Sequence, residues 1–181
     1  MTFGTDCKPF FCYYLLYMKI IVNDLMQKNY TYETVAPMGE NFHPLFLPEL
    51  TPKQMLKMGV FEGKYLNDCQ KEFPKDWFET AKLSVKANEK YNCFEIKSRL
   101  SLSEWQRRGW IYGPDVRGWF QWYCRYYMGR RIDDIDLIQI KRWRSFKRHK
   151  IQLEKNCPPM DLNCRLRQRQ ALLQWAYNPF I

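Results

Sequence analysis

The chain has 181 residues, a net charge of +10, 46% hydrophobic residues and 17% aromatic residues. This length is enough for one domain with a sizeable hydrophobic core. The apolar and aromatic content excludes wholesale disorder, collagen-like repetition and low-complexity sequence.

The positive charge is confined to one part of the chain. Residues 1–98 contain 12 lysines, no arginine and 12 acidic residues, so they are neutral. Residues 99–181, here called the basic half, contain 4 lysines, 13 arginines and 7 acidic residues and carry the whole excess. Such asymmetry is typical of a region that meets an acidic partner, either nucleic acid or an anionic surface.

The predicted elements begin with an apolar run from Phe10 to Val22. It is too short to span a bilayer unaided and lacks the features of a secretory signal, so we expect no membrane span. We interpret residues 1–29 as an apolar N-terminal appendage and residues 30–181 as a single helical domain. The odd cysteine count, seven, favours reduced thiols and an intracellular location, cytoplasmic or nuclear.

Prolines dominate residues 30–52, which predicts an extended segment over the surface. Thr51, Pro52 and Gln54 then form a capping box that starts a helix ending at Gly59. Two short helices are predicted over 64–73 and 75–83. The weak pattern over 85–98 indicates a loop or a short strand near 93–96.

Helix signals are stronger in the basic half. Ser101 and Glu104 form a second capping box, and Gly109 ends that helix. Further helices are predicted over 115–128, 135–155 and 162–177, separated by glycine, aspartate and proline. The predicted fold class is therefore mainly α: a compact single domain of about six helices, with an extended Pro-rich N-terminal segment and one short strand pair.

The helix over 115–128 is rich in aromatic residues at spacings of three and four. The favoured interpretation is a core stripe beneath a solvated basic face that contains Arg117 and Arg125. The alternative is an exposed platform on which bases or another planar ligand stack.

The long helix predicted over 135–155 has an apolar side and a cationic side, so it is amphipathic. Four cations in line on that side can follow a phosphate backbone, although charge runs usually serve solubility. Together with its neighbours this side defines the predicted anion-binding set: Arg107, Arg108, Arg117, Arg125, Arg130, Arg131, Lys141, Arg144 and Arg148.

Arg130 and Arg131 follow Gly129 in the loop before the long helix. Two guanidiniums beside a glycine can grip a phosphate in a bidentate manner. They can equally bind the acidic start of the long helix or the carbonyl groups that end the preceding one.

The cysteines and the two histidines offer one metal hypothesis. His149, Cys157, Cys164 and Cys124 are candidate zinc ligands, but their spacing is unlike the usual paired Cys-x-x-Cys pattern. The alternatives are a buried histidine with ordinary thiols, or a disulfide between Cys157 and Cys164. We therefore expect no obligatory cofactor.

Four strings stand out along the chain: GVFEGKY (59–65), FPKDW (73–77), GWFQWYCRYYMGRR (118–131) and RQRQALLQWAY (167–177). Together they resemble a family of hypothetical proteins for which no activity is established. The resemblance covers roughly residues 49–177. It implies one continuous domain and transfers no catalytic residue.

Three functional hypotheses follow. The first is a polyanion-binding module, with DNA or RNA as partner. The second is a protein-interaction subunit of a larger complex, since Trp, Tyr and Arg also dominate protein interfaces. The third is an enzyme acting on a small anionic substrate, with Cys124 or an aspartate as reactive group. The third hypothesis would be favoured by a deep pocket with aromatic walls, two or more arginines and a titratable residue with a shifted pKa. The first hypothesis requires a stripe of cations along the surface instead.

Overall fold

The computed structural model describes residues 17–181. A two-stranded antiparallel sheet comes first, formed by β1 (Lys19–Val22) and β2 (Tyr30–Glu33), with Ile20 opposite Tyr32. Five α-helices follow within this range: α1 (Pro52–Met58), α2 (Leu102–Arg107), α3 (Trp119–Tyr127), α4 (Asp133–Asn156) and α5 (Leu166–Leu173). The prediction of a mainly helical fold with one short strand pair is confirmed.

The strand pair is not where the sequence places it. Residues 93–96 form turns, whereas the sheet lies in the segment interpreted as an N-terminal appendage. That interpretation is wrong for residues 19–29, because the hairpin is tied to the basic half. Gln27 Nε2 donates to the Pro114 carbonyl at 2.8 Å, and Arg117 donates to Asp24 at 2.9 Å. Residues 1–16 of the appendage lie outside the described residues.

Both predicted capping residues start helices. Thr51 accepts a hydrogen bond from the Gln54 amide, and the Gln54 side chain accepts one from the Thr51 amide. Ser101 caps α2 in the same way, but the Glu104 carboxylate turns to Arg107 and Arg108 instead of returning to the cap. These local signals are reliable because a cap satisfies amides that have no partner within the helix.

The two helices predicted over 64–83 are wrong. Only single 3₁₀ turns form there, over Gln70–Glu72 and Lys75–Trp77. Leu66 adopts a left-handed backbone conformation with φ of +64°, which a continuous right-handed helix does not allow. Pro74 separates the two turns, and Phe73 and Trp77 stack on each other in the core.

α3 lies at the centre of the core, with Trp119, Trp122, Tyr123 and Tyr126 all buried. The core interpretation of this helix is confirmed, and the exposed stacking platform is wrong. Its second face is buried too, so no solvated basic face exists. The extended Pro-rich segment contributes Phe46, which is fully buried and makes edge contacts with four rings, those of Trp122, Tyr123, Tyr126 and Trp143.

Candidate anion-binding site

The nine cations predicted to bind an anion divide into internal and exposed groups. Arg117, Arg125 and Arg130 are almost completely buried, with at most 3% of each residue exposed. Their guanidiniums therefore cannot meet a ligand that approaches from solvent.

Carboxylates compensate these three internal arginines. Arg125 binds both oxygens of Glu72 and also one oxygen of Asp115. Arg130 binds both oxygens of Asp115, at 2.9 and 2.7 Å. Burial, the largest single effect, favours the neutral form of Arg125, but the hydrogen bonds with Glu72 and the charges of Glu72 and Asp115 together outweigh it and raise its pKa. These three arginines stabilise the fold and are therefore no longer candidates for binding a ligand.

Arg131 also belongs to the interior scaffold. Its guanidinium stacks on the Tyr126 ring, 3.9 Å from the ring centroid, and donates to the backbone carbonyls of Tyr126, Arg130, Glu40 and Asn41. Of the roles predicted for the Gly129 loop, contact with the carbonyls that end the preceding helix is the one present. No phosphate grip forms there.

The other five predicted cations are exposed. Arg107 and Arg108 share the carboxylate of Glu104. Lys141, Arg144 and Arg148 lie on the solvent face of α4 and form no ion pair with any residue from 17 to 181. We call these three residues the α4 cation row.

A cavity of about 360 Å³ opens next to this row. Chain segments from α2, α3, α4, α5 and the loop 98–100 converge on it. Its walls are aromatic, formed by seven side chains: Phe61, Trp105, Trp110, Trp119, Phe120, Phe146 and Trp175. Phe146 and Trp175 stack with ring centroids 4.4 Å apart, and Trp119 lies 4.6 Å from Trp175. We call this space the aromatic cavity.

The charged residues that line the aromatic cavity are arginines: Arg99, Arg142 and Arg148. His149 lines it too, and no carboxylate or cysteine from residues 17–181 does. The carboxylate of Glu62 neutralises Arg99 at 2.8 Å. Arg148 is exposed at the rim and also belongs to the α4 cation row.

Arg142 is the unusual member of this lining. Its Nη1 donates to the Trp110 carbonyl at 2.8 Å and to Gln139 at 3.1 Å, and its guanidinium lies 5.9 Å from the centre of the Trp175 ring. No residue from 17 to 181 forms an ion pair with it, and burial lowers its pKa. Its Nε and Nη2 have no acceptor among those residues. Arg142 is thus a half-buried cation with unused donors in an aromatic cavity.

Sequence reasoning missed Arg142, although a signal exists. At 100° per residue, Arg142 lies on the same side of α4 as Phe146 and His149, which is the apolar side. A cation on the apolar side of a helix has to find either a partner or a cavity.

His149 adds one titratable group to the aromatic cavity. Its Nδ1 lies 3.1 Å from the amide nitrogen of Gln168, which can only donate, so the ring accepts there and carries its proton on Nε2. Burial and then the Arg148 cation lower its pKa from the ordinary value of 6.5. The imidazole is therefore neutral at pH 7.

Two further polar atoms lie in the cavity wall without a partner. The indole nitrogen of Trp119 and the Oε1 oxygen of Gln174 belong to residues that are at least 95% buried, and neither makes a hydrogen bond within residues 17–181. Eleven other buried side-chain atoms in this range also have no partner, so these two alone do not mark a ligand site.

The predicted zinc set is wrong. Cys157 and Cys164 form a disulfide, which was the stated alternative, and therefore cannot act as thiolate ligands. Cys124 is fully buried in the core, and burial raises the pKa of its thiol. Within residues 17–181 one other group of potential metal ligands converges, Asp24, Cys69 and Glu72, but its two carboxylates already bind arginines.

Comparison of the chain with family models, curated proteins and solved structures returns no match. The resemblance of the four strings to a family of hypothetical proteins therefore stays a prediction. Within residues 17–181, no helix is both long and apolar enough to cross a bilayer.

Proposed function

We propose that this protein binds an anionic ligand with a planar aromatic part, and that the aromatic cavity is the binding site. The observation that carries the proposal is Arg142, a half-buried guanidinium with free donors and no carboxylate partner among the described residues. Around it, indole and phenyl faces offer stacking surfaces for a planar ring. An intracellular location, cytoplasmic or nuclear, is part of this proposal, although the Cys157–Cys164 disulfide contradicts the reduced thiols from which it was predicted.

Binding is favoured over catalysis. The aromatic cavity has the features that the enzyme hypothesis requires of a pocket: aromatic walls, at least two arginines and a titratable residue with a shifted pKa, His149. Among residues 17–181, its lining nevertheless contains none of the reactive groups that the enzyme hypothesis named, because Cys124 and the aspartates of this range lie elsewhere. His149 alone does not specify a reaction, whereas three arginines and an aromatic wall do specify a class of ligand.

Two matched probes test the proposal by calorimetric titration. Naphthalene-2-sulfonate carries a permanent negative charge on a planar ring, and naphthalene-2-sulfonamide has the same ring without the charge. We expect the sulfonate to bind more tightly, and Arg142→Gln to weaken its binding by at least about tenfold, the scale of one charge-assisted hydrogen bond. The variant should leave the affinity for the sulfonamide unchanged.

Arg144→Gln is the matched control, since it removes the same charge from the solvent face of the same helix. It should change the affinity for the sulfonate less than about twofold, because screening weakens an exposed charge. Arg142→Lys keeps the positive charge. Comparing it with Arg142→Gln distinguishes the effect of losing the charge from the effect of disturbing the loop around Trp110. Equal affinity of the two probes, or equal effects of Arg142→Gln and Arg144→Gln, would rule out the proposal.

A further inference from the structure

Two groups of cations border the aromatic cavity. Arg148 lines the cavity and belongs to the α4 cation row. A shallower cavity of about 340 Å³ shares Ser98, Arg99 and Leu100 with it and adds Lys97 and Arg167. Among residues 17–181, no carboxylate lines either cavity.

This arrangement suits a chain of phosphates better than a single anion. Lys141 and Arg148 are seven residues apart on α4, about 10 Å at 1.5 Å per residue. Cations spread over that distance can bind successive phosphates along a strand. A small ligand held by Arg142 would leave Lys141, Arg144, Lys97 and Arg167 unused, because none of them lines the aromatic cavity.

The aromatic walls suit a base that is free of its stack. Unpaired bases bind proteins by stacking on Trp and Phe rings, and every base has a face that can stack. A base within a duplex is paired and stacked, so placing it in a cavity requires flipping at a cost in free energy. Trp110, 43% exposed at the cavity, offers such a ring to an incoming strand.

We propose that the ligand is a single-stranded nucleic acid that places one unstacked base in the aromatic cavity. Its phosphates on one side bind the α4 cation row, and those on the other side bind Lys97 and Arg167. The inference rests on the proposed function and names the class of ligand. The proposed ligand uses both the α4 cation row and the aromatic cavity, whereas the hypotheses drawn from the sequence assign a surface stripe and a pocket to different functions.

The test uses fluorescence anisotropy with three labelled probes: a nine-residue oligothymidylate, the same strand with an abasic site at its centre, and a blunt duplex of equal length. An oligouridylate of the same length distinguishes RNA from DNA. We expect the intact strand to bind about tenfold more tightly than the abasic strand, the scale of one stacked base, and more tightly than the duplex. Trp110→Ala should weaken the intact strand by a similar factor and leave the abasic strand unchanged.

The phosphate contacts are tested with two triple variants of equal charge. Lys141→Gln, Arg144→Gln and Arg148→Gln together should weaken the intact and abasic strands alike and reduce the slope of log affinity against log salt by about 2. Lys57→Gln, Lys64→Gln and Lys86→Gln remove the same charge from exposed positions of the first half. This control should change affinity less than about twofold.

The outcomes separate the two proposals. Duplex binding as tight as strand binding, or an abasic site without effect, overturns the inference. Naphthalene-2-sulfonate binding that depends on Arg142, with no binding of any strand, also overturns it and leaves the proposed function standing. If neither the sulfonate nor the strands bind, both proposals fail.

Discussion

The arginines of the basic half differ in role according to what lies around each guanidinium. Arg125 is buried against Glu72 and Asp115, and Arg131 is satisfied by backbone carbonyls. Arg169 is also buried, and donates to the carbonyls of Asp161, Cys164, Pro179 and Ile181. Arg142 is half-buried and has no such full set of acceptors among residues 17–181. Sequence alone does not separate these roles, because each depends on groups far away in the chain.

The cost of replacing a glycine also depends on what surrounds it in the fold. Gly129 and Gly109 both have positive φ, +103° and +65°. A Cβ at Gly129 would overlap the carbonyl oxygen of Ala36, whereas a Cβ at Gly109 would meet nothing within 4 Å.

We expect Gly109→Ala to lower the free energy of unfolding by about 1 kcal/mol, the cost of the left-handed conformation alone. Gly129→Ala should lower it by at least about 3 kcal/mol, because the Ala36 backbone must also move. Urea denaturation gives both values, and thermal unfolding in lysate ranks the variants if one is too unstable to purify. Equal losses would contradict the steric argument.

At the scale of elements, the sequence predicts what depends on neighbouring residues and misses what depends on distant ones. The caps at Thr51 and Ser101 and the long helix α4 are predicted because their signals lie within a few residues. Asp115, the first residue of the helix predicted over 115–128, instead binds Arg125 and Arg130, and α3 begins after Gly118. Gly118 has φ of +87° and lies in the wall of the aromatic cavity.

The cavity itself could not be predicted, because its walls come from segments that are far apart between Phe61 and Trp175. Its chemistry is partly predictable from sequence, since Arg148 belongs to the predicted anion-binding set and His149 is among the predicted zinc ligands. The missing piece was Arg142, which only the packing of α4 against Trp175 makes distinctive.

A disulfide closes the turn between α4 and α5. The Cys157–Cys164 disulfide joins positions seven residues apart. It connects α4, which supplies Arg142 and Phe146 to the aromatic cavity, with α5, after which Trp175 follows. Closing so short a loop stabilises a fold by about 2 kcal/mol in the chain-entropy model.

Reduction of this disulfide by dithiothreitol should therefore lower the free energy of unfolding by about 2 kcal/mol. The double variant Cys157→Ser with Cys164→Ser should be less stable by the same amount and insensitive to the reductant. Cys93→Ser, which removes a half-buried free thiol, should keep the sensitivity of the parent protein. A parent protein that is oxidised by mass spectrometry and yet unaffected by reduction would contradict this expectation.

At the scale of the whole molecule, the uneven charge is partly neutralised between the two halves of the chain. Half of the ten ion pairs within residues 17–181 join an acid of the first half to a cation of the basic half, and none joins a first-half cation to a basic-half acid. The pairs of Arg117 with Asp24 and of Arg125 with Glu72 are buried. The halves therefore form one folding unit, and the charge left for a ligand lies on the outer side of α4 and around the aromatic cavity.

Arg125→Met tests this internal role. Removing the guanidinium leaves Glu72 and part of Asp115 uncompensated in the core, so the free energy of unfolding should fall by about 3–5 kcal/mol. Arg144→Met, which removes an exposed unpaired arginine, should change it by less than about 0.5 kcal/mol. Adding Glu72→Leu to Arg125→Met should recover part of the loss, because the second change removes the stranded charge. Urea denaturation measures all three variants, and a loss below about 1 kcal/mol for Arg125→Met would mean that the two halves do not depend on this pair.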